Sequence, residues 1–132
     1  PTDIYDHPAN SFVASFIGSP AMNLVRGEIV NKNFKGDFIK ISGFTKMDGP
    51  IQLGFRAEDA SIVKDGGEIH AAVFAMELLG DATMITVRVN KELVSVKAAK
   101  DYRAQIGDMV RISVPKRICH LFDDQTGGRI GD

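Results

Sequence analysis

The residues best suited to chemistry in this chain are few and scattered. They are His7, His70, His120, Cys119, Ser19 and the run Arg56-Ala57-Glu58-Asp59. A closed metal site needs three or four His, Cys or carboxylate ligands at compatible spacing. Only Cys119 and His120 are neighbours, and adjacent strand residues point to opposite faces, so the two do not share one ion. Cys119 then reads as a small buried hydrophobe. Ser19 sits in Gly18-Ser19-Pro20, which lacks the Gly-x-Ser-x-Gly of a nucleophile elbow and reads as a helix stop. Arg56 and Glu58 read as a solvated turn or an ion pair pinning a loop, and two adjacent acids make no catalytic dyad without spatial support. No Gly-Lys dipeptide occurs and no two glycines stand two apart. Walker A and dinucleotide fingerprints are therefore both missing, with no glycine loop to present N–H groups to phosphate. The expectation for this chain is no catalytic residue, no cofactor and no metal.

The elements that would position these side chains change character near Asn23. Before it, Pro8 suits a first helical turn, and Ala9, Phe12, Val13, Phe16 and Ile17 fall on one apolar stripe. Gly18 can take the left-handed cap and Pro20 stops resumption. So short a helix is unstable alone, and its stripe must pack on its own domain or on a neighbour. After Asn23 the period is two. Ile85, Val87 and Val89, then Val94 and Val96, then Val110, Ile112 and Val114 alternate with polar residues, the pattern of half-buried strands. Weaker strand patterns cover Leu24–Val30, Phe38–Ser42, Ile51–Phe55 and Ile69–Leu78. Asp48-Gly49-Pro50, Asp65-Gly66-Gly67, Gly80-Asp81, Asn90-Lys91 and Gly107-Asp108 mark turns between them. The run from Gly127 to Asp132 reads as a fraying tail.

Short strands with regular turns predict a mainly β chain: a small OB-like antiparallel barrel preceded by one short N-terminal helix. The length of 132 residues suits one domain plus an appendage. With 16 basic and 17 acidic residues, net charge is −1, so no basic excess draws the chain to nucleic acid or an anionic membrane surface. The absence of Trp and the presence of only two Tyr argue against the stacked aromatics of a single-strand binder. One cysteine allows no internal disulfide, which fits a reducing compartment. The first residues carry neither the basic nor the apolar region of a signal peptide, and no run is long enough to span a bilayer. There is no initiator Met. Processing or trimming and missing upstream sequence account for that equally well.

Four segments together carry a resemblance. They are Tyr5-Asp-His-Pro-Ala-Asn-Ser-Phe-Val-Ala-Ser-Phe-Ile-Gly-Ser-Pro-Ala-Met-Asn23, Leu53-Gly-Phe-Arg-Ala-Glu-Asp59, Met76-Glu-Leu-Leu-Gly-Asp81 and Arg117-Ile-Cys-His-Leu-Phe-Asp-Asp-Gln-Thr-Gly127 with Arg129-Ile130. In this order the chain resembles the C-terminal part of the ATP-binding subunits of carbohydrate ABC importers, the maltose and glycerol-3-phosphate type. One departure is Ala57, where the family usually has Pro between Arg and Glu; this frees an N–H and a φ angle in that loop.

The resemblance implies a division into residues 1–20, the last helix and linker of a nucleotide-binding domain missing from the chain, and residues 21–132, an OB-type regulatory (transport-associated OB, TOBE) domain. It implies a parent transport ATPase whose ATP and Mg sit in that missing domain. Its partners would be that domain, a second copy of the subunit and, indirectly, the membrane subunits. Its place would be cytoplasmic, on the inner face of the membrane, without insertion. Phe12, Val13, Phe16, Ile17, Arg56, Glu58, His120, Phe122 and Asp123 are the expected interface or regulatory residues. A ligand-sensing barrel for an oxyanion or small molecule is the alternative. Its backbone nests would fall at Ser42-Gly43 or Asp65-Gly66-Gly67.

Overall fold

The structure, a computed structural model, describes residues 8–11 and 21–131. Phe12, Val13, Phe16, Ile17 and the stop at Gly18-Ser19-Pro20 lie outside the described residues. The start of the expected helix needs correction: Asn10 forms an antiparallel bridge with Gly128. The Arg129 N–H donates to the Ala9 carbonyl at 2.9 Å, and the Ser11 N–H to the Gly127 carbonyl at 2.9 Å. An unpaired strand edge presents N–H and C=O groups that need partners, and residues 9–11 supply them; Ser11 is itself helical, so the helix begins after Asn10 rather than at Pro8.

From Asn23 onward the described residues form strands: β1 (Asn23–Val30), β2 (Asn33–Gly36), β3 (Ile39–Ser42), β4 (Gly49–Phe55), β5 (Ser61–Val63) and β6 (Ile69–Leu78). They continue with β7 (Thr83–Val89), β8 (Glu92–Ala98), β9 (Met109–Ser113), β10 (His120–Asp123) and β11 (Arg129–Ile130). The hydrogen-bonded path runs β11-β10-β4-β1-β2-β3-β6-β7-β8, and β9 pairs with β5 and β6. All pairings are antiparallel, as the alternating patterns require. The expected mainly β fold is what the chain adopts. The tail is a second correction: Arg129 and Ile130 pair with Phe122 and Leu121 rather than fraying.

Two long strands change partner part-way, and this bends the sheet into a barrel. β1 pairs with β2 through Glu28–Val30, while its first residues face β8. There the Asn23 side chain imitates a peptide: Nδ2 donates to the Ser95 carbonyl at 2.8 Å and Oδ1 accepts the Ser95 N–H at 2.9 Å. The Glu92 carboxylate accepts the Arg26 N–H at 2.8 Å, and Asn90 Nδ2 donates to the Arg26 carbonyl. β6 pairs with β9 over Ile69–Ala72 and with β7 beyond, and a bulge between Val73 and Ala75 makes the change. Phe74 is the extra residue there, turned outward under the Arg88 guanidinium at 5.0 Å from its ring centroid.

The barrel interior holds Val25, Ile29, Phe34, Ile41, Leu53 and Phe55 with the inward residues of β6 to β9. Gly27 is required there, because a Cβ would stand 2.6 Å from the Phe34 ring and 2.8 Å from the Lys35 carbonyl. β2 escaped the sequence patterns because Asn33-Phe34-Lys35-Gly36 offers only one apolar residue. Its hairpin turn uses Asn31 and Lys32 at φ 51° and 68°, the left-handed pair that a type I′ turn demands. Phe38 begins no strand. It occupies the next turn at φ 70°, an uncommon conformation for a bulky residue.

Candidate functional site: the outer surface of the barrel

The outer faces of the strands carry the side chains that can meet another molecule. Of the expected interface residues, the structure brings His120, Phe122 and Asp123 together on β10 and places Arg56 and Glu58 at the end of the neighbouring β4. Arg56 is only 2% exposed, and its carbonyl accepts the Asp59 N–H at 3.1 Å across the helical turn Ala57–Asp59. Glu58 is exposed. Phe122 lies on the outer face, opposite Gln52, yet it is fully buried. It packs with Met22 and Leu24 above Gly54, where a Cβ would meet Met22 Sδ at 2.6 Å and Phe122 Cε2 at 3.0 Å. In this fold Phe122 fills a small second core outside the barrel.

Asp123 organises the β10–β11 turn. Its Oδ1 accepts the Gln125 and Thr126 N–H groups at 2.9 and 2.8 Å. Those bonds, the Thr126 one foremost, hold its carboxyl below the usual carboxylate value. The Cys119 thiol is pushed up to about 12, first by burial and then by the Glu68 charge, and it donates to the Pro115 carbonyl at 3.4 Å. So protonated a thiol is a poor metal ligand and a poor nucleophile at neutral pH. Among the described residues no three His, Cys, Asp or Glu side chains gather as a metal site. Nor, among them, is any helix long and apolar enough to cross a membrane. Of the two possible backbone nests, Gly43 donates its N–H to the Lys32 carbonyl at 3.2 Å, and so is not available to an anion.

Sequence reasoning missed a cationic cleft of about 650 Å³ between β5, β8 and β9. Its lining includes Lys64, His70, Lys97, Tyr102, Met109 and Arg111. In register, Val63 of β5 pairs with Arg111 of β9, which pairs with His70 of β6, so these three side chains share one outward row. Arg111 Nη1 donates to the Gly66 carbonyl at 3.3 Å. Tyr102 is held by its own N–H to the Ala99 carbonyl at 3.0 Å and by Arg103. The latter's Nη1 donates to the Tyr102 carbonyl at 2.8 Å and to buried Thr83 Oγ1 at 3.1 Å. The prior signal was that Lys97 and Arg111 alternate outward on their strands. The other basic residues come from distant points of the chain.

The model of the TOBE domain matches residues 53–122, which run from the inward Leu53 on β4 to Phe122 on β10. The chain belongs to the TOBE domain family. Relatives also match over nearly the whole chain. The sn-glycerol-3-phosphate import ATP-binding protein UgpC of Jannaschia sp. (strain CCS1) is 38% identical over 133 residues, which is 98% of this chain and 38% of that protein. UgpC of Escherichia coli O6:K15:H31 is 32% identical over 138 residues, covering 98% of this chain and 39% of that protein. A putative ATP-binding protein of Brucella abortus (strain 2308) is 32% identical over 130 residues, 96% of this chain and 37% of that protein. This TOBE chain therefore spans less than two-fifths of the length of the curated relatives it matches.

Proposed function

We propose that this chain is the C-terminal regulatory and dimerisation domain of the ATP-binding subunit of an ABC transporter that imports sugars or related solutes. The observation that carries the reading is one of coverage. Proteins named for ATP binding match 98% of this TOBE chain but are more than twice its length, and the chain has no Gly-Lys of a Walker A loop. On this reading ATP and Mg bind a separate domain of the same subunit, to which residues 1–20 belong. Two barrels in contact would keep two ATPase domains at high effective concentration through each cycle. The subunit would work on the cytoplasmic face of the membrane, held there by the transporter's membrane subunits.

Two measurements test this. The chain alone is expected to show no ATP hydrolysis and to self-associate in light scattering. The parent protein without residues 21–132 is expected to lose regulation or subunit association while retaining its ATP site. A strictly monomeric chain would remove the dimerisation half. An upstream reading frame with no Walker A loop would remove the whole reading. A second reading, small-ligand sensing by the barrel, is favoured by one observation, the cationic cleft.

A further inference from the structure

We propose that the cleft between β5, β8 and β9 binds a small organic anion bearing a phosphate or carboxylate group. The inference deepens the ligand-sensing reading, and it rests on the cleft itself rather than on the identity of the parent protein. Three basic side chains, Lys64, Lys97 and Arg111, line one cavity with His70, and among the described residues no acidic side chain lines it. This departs from the rest of the chain, where 16 basic and 17 acidic residues nearly cancel. No ion pair engages Lys64, His70 or Lys97 among the described residues. The nearby Asp108 carboxylate instead accepts the Gln105 N–H at 2.9 Å. Gathering like charges costs free energy through self-repulsion, and a bound anion would relieve that cost.

The rest of the lining narrows the ligand class. Ile62, Ala98, Tyr102 and Met109 give the cleft apolar walls beside its cations. A bare inorganic anion would leave those walls wet, whereas an organic body would cover them. The volume, about 650 Å³, lies within the range of small-molecule sites. The site is also held in shape before any ligand arrives. Arg111 is tied to Gly66, Arg111 and His70 stand on paired strands, and the Tyr102 wall is fastened through Arg103 to Thr83. Side chains fixed on rigid elements lose less entropy on binding.

Phenyl phosphate is a suitable probe, because it combines a dianion with an apolar ring. Titrated into the 132-residue chain and followed by calorimetry and amide NMR, it should saturate. Its shifts should be confined to Lys64, His70, Lys97, Tyr102, Arg111 and their strand neighbours. Inorganic phosphate should bind more weakly, and phenol not at all. The exposed pair Lys64→Gln and Lys97→Gln should keep the melting temperature and weaken phenyl phosphate by about tenfold or more. Shifts spread over the whole surface, or an unchanged affinity in the double variant, would overturn the proposal. So would a hexaglutamate peptide that saturates the cleft when phenyl phosphate does not, since that would make it a dock for an acidic chain. Binding that persists while the parent's ATPase ignores the barrel would leave this inference standing and remove only the regulatory reading.

Discussion

Two outer faces of the barrel have opposite fates. On β1, β4 and β10 the outward residues Leu24, Gly54 and Phe122 join Met22 in a dry cluster, with Phe122 fully buried and Met22 5% exposed. On β6 and β9 the outward residues His70, Phe74, Met109 and Arg111 stay open or only partly covered, with Met109 at 55% exposure. Strand alternation is the same on both. What differs is the company each face keeps. Gly54 leaves room beneath Met22 and Phe122, whereas the opposite face sets long basic side chains around a cleft. Outward therefore does not mean solvated, and a glycine on the outward row is a sign that something large lies over it.

The largest effect that would break this comparison is on the closed face. Phe122→Ala should destabilise by about 3–5 kcal/mol in urea unfolding, as for a buried core aromatic. A loss below about 1 kcal/mol would show that the cluster is a loose surface contact. Next comes the seam between β1 and β8. Asn23→Ala strips both Ser95 backbone groups of their partner and should cost about 2 kcal/mol, read in the same melts. A smaller effect concerns the β10–β11 turn. Because the folded Asp123 carboxyl lies below its ordinary value of 3.8, its contribution is complete above that pH and is lost as pH falls through the lower folded value. Asp123→Ala should therefore reduce the gap in stability between neutral and strongly acidic solution. The smallest effect is on the open face. Lys64→Gln and Lys97→Gln should each shift stability by no more than about 0.5 kcal/mol, because neither has an ion-pair partner to lose among the described residues.

Much of the fold could be read from the chain, for identifiable reasons. Ile85-Val87-Val89, Val94-Val96 and Val110-Ile112 alternate cleanly, and they are the inward rows of β7, β8 and β9. Asn90-Lys91 was legible as a turn. Its further role was not: the Asn90 side chain accepts the Asp37 N–H at 3.0 Å and donates to Arg26, tying a neighbouring turn to β1. β2, β5 and β11 were missed because each is too short to show a period and gains its strand geometry only from its partners. At the candidate site, Phe122 looked like an interface residue because its apolar neighbour Met22 is a hundred positions away.

By itself the amino-acid sequence determined the class of this protein. Period-two patterning commits the chain to antiparallel strands. The missing glycine loop leaves no conventional phosphate grip, and four separated segments mark the family. Those properties depend on neighbours along the chain. The tertiary structure alone decided which outward residues are dry, that the Asn23 side chain bridges β1 and β8, and that Lys64, His70, Lys97 and Arg111 meet in one cleft. Burial and electrostatic potential are sums over everything nearby in space, and strand pairing brings together residues that no local pattern connects.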